Sequence, residues 1–229
     1  MQDYLIYSIG FLAQFLFFGR TIVQWFKSEH EGKVLSPSLF WKLSLVASIL
    51  MLVYGILRND AAILIGQLLV YFIYIRNLQL KGAWKEMKLP VRIVITAMPL
   101  IILSYLFFGT NYTPDTFFKN ENNPLMLMIW GIAAQIVFIS RFFYQWIYSE
   151  NRKESLLPIG FWIISIVGSA MNFIYAIYRL DPVLFAAHSL GMFIYLRNIL
   201  IHLNKKSLFD KINLPIINRL IAFISGKIK

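Results

Sequence analysis

Cysteine is absent from all 229 residues, which excludes a disulfide framework, a thiolate metal site, a cysteine nucleophile and a palmitoyl anchor. Charge is scarce: Asp, Glu, Lys and Arg make up 14% of the chain, against about 25% in ordinary soluble domains. Histidine occurs only at positions 30, 188 and 202, too scattered to build a metal centre. No Walker loop, nucleophile–histidine pair or paired carboxylates occur, so no catalytic residue, cofactor or metal is expected. In place of these, 59% of the residues are hydrophobic and the mean hydropathy is +0.64. Those values exclude a soluble globular domain, disorder, collagen and coiled coil and point to an integral membrane protein; the apolar runs below make it all-α. Acids are outnumbered 11 to 22 by Lys and Arg, giving a net charge of +11. In a soluble chain that excess would suggest nucleic acid. Here the basic residues lie mostly between apolar runs, so membrane lipids of anionic charge are the expected partner and nucleic acid is not.

Apolar runs long enough for a roughly 30 Å hydrocarbon core fall near 4–26, 37–57, 61–80, 91–109, 125–147, 158–178 and 182–202, making seven transmembrane helices. The stretch 208–224 spaces Leu208, Phe209, Ile212, Ile216, Ile217, Leu220 and Ile221 among Lys and Asn, as an amphipathic surface helix does. Asp3 replaces the basic start of a secretory signal and no cleavage site follows, so the first helix is expected to stay in the protein.

Connecting segments on one side (27–36, 81–92, 148–157 and the tail) hold about fourteen Lys and Arg, among them Lys81, Lys85, Lys88, Arg152, Lys153, Lys205 and Lys206. The other side has Arg58, Lys119 and Arg179, each near an acid. The positive-inside rule then puts the N-terminus outside and the C-terminus in the cytoplasm.

The chain also repeats itself. Shifted by about 121 residues, 10–77 aligns with 131–198 without a gap, roughly 26 of 68 positions being identical. Each repeat holds three helices, and the unmatched 91–109 lies between them. Three is odd, so this linker helix lets both repeats run in the same direction, the parallel-repeat plan of two-bundle transporters. The expected architecture is 3+1+3: a first triple-helix bundle at 1–81, linker helix and outer loop at 82–122, a second bundle at 123–204 and a basic amphipathic tail at 205–229. This layout resembles sugar transporters of the SWEET and PQ-loop type.

Shared positions mark the faces that matter. On the first helix Gly10, Ala13, Gln14, Phe17, Arg20, Gln24 and Ser28 step by threes and fours along one stripe. Trp41, Ser44 and Ser48 do so on the second helix, behind Pro37; Leu69, Phe72, Ile73, Arg76 and Asn77 do so on the third. These stripes are expected to converge on an interior, either as ordinary packing through small and polar residues or as the lining of a cavity. Candidate cavity-lining residues are Gln14, Trp41, Ser44, Ser48, Tyr54 and Gln67, with Gln135, Trp162, Ser165, Ser169, Tyr175 and His188 in the second repeat. Gln67 and His188, at equivalent depth, also suit an interhelical hydrogen bond. Arg58-Asn59-Asp60 and Arg179-Leu180-Asp181 suit turn-capping ion pairs at the outer surface.

Arg20 lies some six residues before the cytoplasmic end of its helix, roughly 9 Å deep at about 1.5 Å per residue. Arg76 reaches a similar depth from the other direction, and Arg141 and Arg197 repeat both. With Gln24, Gln145, Asn77 and Asn198 beside them, the four form a cationic girdle. Three readings compete: snorkelling to the headgroups, an internal pair with Glu29 or Glu150, and a phosphate or pyrophosphate ligand held by guanidinium forks.

The combined pattern Arg-x-x-x-Gln-Trp-x-x-Ser-Glu, Pro-x-x-Phe-Trp-x-x-Ser, Tyr-x-x-x-Arg-x-Asp and Tyr-x-Arg-Asn resembles the lipid A biosynthesis N-terminal domain, a three-helix module of the broad SWEET/PQ-loop grouping. The likeness covers about 68 residues twice; the copies differ at Ser36/Leu157 and Gln67/His188. That module is fused ahead of the catalytic region in some lipid-A-disaccharide synthases. The soluble glycosyltransferase region is not expected in this chain, so the resemblance implies a bacterial inner-membrane protein that is not itself an enzyme. It implies a transporter or flippase for a phosphate-bearing glycolipid, a polyprenyl-linked sugar or another lipid phosphate, whose headgroup enters between the two bundles. A second reading is a non-transporting membrane partner of a lipid A glycosyltransferase. A third, a small-sugar uniporter, leaves the four arginines without a purpose.

Overall fold

A computed structural model describes residues 2–57, 61–108, 125–178 and 182–204. Among them are seven α-helices: α1 (Gln2–Glu31), α2 (Ser38–Leu57), α3 (Ala61–Leu80), α4 (Leu89–Phe108), α5 (Leu125–Arg152), α6 (Ile159–Tyr178) and α7 (Pro182–His202). Arg58 to Asp60, Arg179 to Asp181, Lys119 and the tail at 205–229 lie outside the described residues.

Among the described residues, three helical stretches are long and apolar enough to cross a membrane: Tyr4–Glu31, Ser38–Leu57 and Ile159–Tyr178, with mean hydropathies of 1.5, 1.9 and 1.6. The seven helices agree in number with the seven apolar runs read from the sequence.

Helices α1 and α5 run past the apolar stretches that suggested them, ending at Glu31 and Arg152 rather than near 26 and 147. The added turns, Lys-Ser-Glu-His-Glu and Tyr-Ser-Glu-Asn-Arg, include good helix formers that need no apolar environment. Both helices stop at aligned residues with left-handed backbone: Gly32 at φ +63° and Lys153 at φ +52°. Such a residue lets the last carbonyls find donors while the chain turns away.

The chain divides into two compact units. One comprises Met1–Arg20 with Trp41–Asn123, the other Thr21–Phe40 with Pro124–Lys229, so α1 contributes to both. In the first unit, α1 meets α2 where Gly10 lies under the Tyr54 ring, so close that an added Cβ would stand 3.0 Å from it. Helix α2 meets α3 through Trp41 and Tyr74, ring centroids 6.2 Å apart. The linker helix α4 is tied to α3 by the buried Tyr71 hydroxyl, which donates to the Ile95 carbonyl at 2.9 Å. Lys42, which has no counterpart in the second repeat, bridges Glu86 of the α3–α4 loop at 3.6 Å.

The second unit repeats these devices. Helix α6 packs against both α5 and α7. Gly131 lies under Tyr175 as Gly10 does under Tyr54. Trp162 stacks obliquely on Tyr195 at 6.0 Å, the counterpart of Trp41 on Tyr74.

Candidate functional site

Two buried arginines occupy equivalent settings. Arg20 Nη1 donates to Ser44 Oγ at 2.6 Å, with its guanidinium 4.6 Å from the Phe17 ring and 5.5 Å from that of Tyr74. Arg141 Nη1 donates to Tyr195 Oη at 3.1 Å and, more loosely, to Ser165 Oγ at 3.4 Å; its guanidinium stands 3.6 Å over Phe138 and 5.5 Å from Tyr195. Ring faces carry negative potential and stabilise a desolvated cation by about 2 kcal/mol, so these aromatic residues suit a charge that has left water. Ser165 donates its own proton to the Phe161 carbonyl at 2.6 Å and keeps its oxygen lone pairs to accept from Arg141. The Trp162 indole N–H, buried beside Tyr195, has no hydrogen-bond acceptor among the described residues.

Arg197 is arranged differently. Its Nε and Nη2 donate to Glu29 Oε2 and Oε1 at 2.8 and 2.6 Å, and Trp25 Nε1 donates to the same Oε2 at 3.1 Å. This two-edged pair is the strong geometry for guanidinium and carboxylate, and both residues are buried. The internal pair foreseen for the girdle therefore exists, with Arg197 as Glu29's partner; Glu150 takes Lys153 at 2.6 Å. Arg76, half-buried, donates to Gln79 at 3.1 Å.

Gln24 and Gln145, expected beside a phosphate, use their amide N–H groups to tie down the following loop. Gln24 Nε2 donates to Ser28 Oγ at 2.8 Å and to the Leu35 carbonyl at 3.2 Å; Gln145 Nε2 does the same with Ser149 at 2.8 Å and the Leu156 carbonyl at 2.9 Å. The two serines then accept the N–H of Leu35 and Leu156 at 2.9 and 3.0 Å. A loop entering a buried layer must satisfy its backbone groups, which accounts for both Gln-x-x-x-Ser spacings. Gln24 Nε2 also reaches Asn198 Oδ1 at 2.8 Å. Asn77 and Asn198 each return their amide N–H to the carbonyl four residues earlier, at 2.9 Å.

Among the cavity candidates, Ser48 Oγ donates to Gln67 Oε1 at 2.9 Å, and Ser169 Oγ lies 2.8 Å from His188 Nδ1. Gln67 and His188 thus join neighbouring helices in both repeats. Tyr54 and Tyr175 cover glycines, while Trp41 and Trp162 fill the interior. Gln14 and Gln135 are exposed. The stripe foreseen on the third helix splits: Ile73 and Asn77 are buried, but Leu69 and Phe72 are half exposed. Residues 72 and 73 lie about 100° apart on a helix, so one face cannot contain all five.

Tyr74, Tyr195 and Phe138, which lie against the arginines, were not among the expected site residues. Tyr-x-Arg-Asn recurs at 74–77 and 195–198, and that recurrence was the available signal.

Residues 9–79 and 130–200 each match the family described as Lipid A Biosynthesis N-terminal domain. The chain belongs to this family. Its two copies of the Lipid A Biosynthesis N-terminal domain take in every arginine, glutamine and asparagine placed above. The chain is similar to the lipid-A-disaccharide synthase of Chlamydia felis (strain Fe/C-56), 31% identical over 90% of this chain and 34% of the relative. It is likewise similar to that of Chlamydia abortus (strain DSM 27085 / S26/3), 32% identical over 92% and 35%. The chain therefore spans about a third of the length of these relatives. No solved structure matches it.

Proposed function

We propose that this chain binds the phosphate-bearing headgroup of a lipid-linked sugar or lipid phosphate and carries it across the bacterial inner membrane, serving lipid A or related envelope glycolipid synthesis. The observation that carries the reading is the recurrence in both repeats of a buried arginine beside one serine and one tyrosine: Arg20 with Ser44 and Tyr74, Arg141 with Ser165 and Tyr195. Intramembrane arginines are costly and mark pathways for polar cargo. A phosphate accepts two parallel guanidinium bonds, which a neutral sugar does not; this disfavours the small-sugar uniporter. The indole N–H of Trp162 supplies a further donor in the second repeat. Family membership and the relatives' name, lipid-A-disaccharide synthase, support the choice of lipid. The proposal includes seven spans in a 3+1+3 order, an external N-terminus and no catalytic step on these residues.

A second reading, a non-transporting partner of a lipid A glycosyltransferase, is favoured by one fact: the matched relatives are synthases about three times as long. Reconstitution in vesicles separates the two. With a fluorescent polyprenyl-phosphate sugar, the full chain should speed transfer between leaflets, and Arg141→Gln should slow it more than Arg141→Lys. Binding without transfer would favour the partner reading. Absence of both would overturn the phosphate site, and acceleration of free-sugar uptake instead would revive the uniporter.

A further inference from the structure

A second polar–apolar site lies away from the repeat motifs, where the α3–α4 loop meets the first turns of α4. Trp84 and Leu89 form one end of a groove of about 500 Å3 that continues along Arg92, Ile93, Ala97 and Leu100. Its wall is mostly apolar: Thr96, the other polar residue there, donates its hydroxyl proton to the Arg92 carbonyl at 2.8 Å and has no proton left for a ligand. The outward side of this helix is apolar too, with Ile93 and Leu100 largely exposed, as on a surface that faces lipid chains.

At the loop end the groove changes character. Arg92 Nε is buried there without a hydrogen-bond partner among the described residues. An unmatched guanidinium N–H calls for an anionic oxygen. The adjoining loop has exposed Lys85 and Lys88 and a single acid, Glu86, which already faces Lys42. Trp84 is the aromatic residue expected where hydrocarbon meets headgroup. One occupant satisfies all of these features: a molecule with an anionic phosphodiester at one end and a hydrocarbon chain at the other. A second copy of the chain, with 11 acids against 22 bases, has few carboxylates to offer Arg92, whereas a phospholipid has an anionic oxygen beside its acyl chains.

We infer that this groove holds an anionic glycerophospholipid, its phosphodiester on Arg92 under the charge of Lys85 and Lys88, one acyl chain along Ile93, Ala97 and Leu100. The site is on the linker helix, outside both repeats, and stands whether or not the arginines at 20 and 141 bind cargo.

The test uses the full chain in mild detergent, with retained lipid counted by native mass spectrometry against phosphatidylglycerol or phosphatidylcholine of identical acyl chains. Phosphatidylglycerol should be retained preferentially. Arg92→Gln should lower its affinity roughly tenfold, the scale of one charge-assisted hydrogen bond. Arg92→Lys should keep part of it, and Arg152→Gln, an exposed cytoplasmic-side arginine elsewhere, should keep it all. Ala97→Phe should expel the lipid by filling the groove with no change of charge. Equal retention by Arg92→Gln and the natural chain would overturn the site. So would an equal loss in Arg152→Gln, which would mean diffuse charge attraction, or a change of oligomeric state in Ala97→Phe, which would mean an interface between copies. Melting temperatures measured without lipid confirm that each variant is folded, so a loss of retention reads on the groove alone.

Discussion

Glu29 of α1 and Arg197 of α7 meet edge to edge, two nitrogens on two oxygens at 2.6 and 2.8 Å, both side chains out of water. A buried pair of this kind gains little over an apolar pair of the same shape, but removing one member strands the other charge. Arg197→Met or Glu29→Leu alone should therefore cost about 3–5 kcal/mol. The double replacement should recover most of it. Thermal unfolding of the two single variants and the double in detergent checks this; additive losses would mean that the two side chains act separately.

Lys153 holds the left-handed position that glycine fills at the aligned residue 32. A side chain there costs about 1–2 kcal/mol, while the exposed Lys153–Glu150 bridge that glycine would forfeit is worth at most about 1 kcal/mol. Lys153→Gly should thus be neutral to mildly stabilising, by up to about 1 kcal/mol. A clear fall in melting temperature would show that the bridge matters more than the backbone.

Gly168 is a close-approach position. A Cβ there would stand 2.7 Å from the Phe138 Cα, a backbone atom that cannot swing aside. Gly168→Ala should push α6 away from α5 and cost about 1–3 kcal/mol. Gly19 has open space around its missing Cβ, so Gly19→Ala should gain about 1 kcal/mol from helix propensity. Opposite signs in one melting experiment are the expected result.

The orientation rests on charge distribution and is open to direct labelling. In this cysteine-free chain, Lys85→Cys should react with a membrane-impermeant maleimide only from the cytoplasmic side, and Asn120→Cys only from outside. Labelling of both from one side would reverse the topology.

The sequence made the helices legible because apolar runs of about twenty residues leave few other folds in lipid. It made the repeat legible because Arg, Gln, Asn and Trp recur at fixed offsets. Partnership was harder to read. Glu29 could have met either Arg20 or Arg197 by depth alone, and only the approach of α1 to α7 decides between them. Gln24 and Gln145 look like ligand groups in a one-dimensional pattern; their role in holding the loop depends on Leu35 and Leu156 carbonyls, which any residue would supply. The groove on α4 lies in the unrepeated segment, where internal comparison gives no signal at all.

The two repeats join α2 to α3 and α6 to α7 with different chemistry at one place: Ser48 with Gln67 in the first, Ser169 with His188 in the second. If the second contact is purely an interhelical hydrogen bond, His188→Gln should reproduce the first repeat's arrangement. The cost should then stay within about 1 kcal/mol, mostly from losing the edge contact of the imidazole with Phe138, now at 5.1 Å. His188→Leu should be worse, because it strands the fully buried Ser169 hydroxyl at about 1–3 kcal/mol, and adding Ser169→Ala should recover much of that. Transfer of a fluorescent polyprenyl-phosphate sugar, measured on the same variants, separates structure from function. Stability and transfer that change in step describe a helix tie. A loss of transfer in His188→Gln at unchanged melting temperature would instead make the imidazole part of the path taken by the cargo.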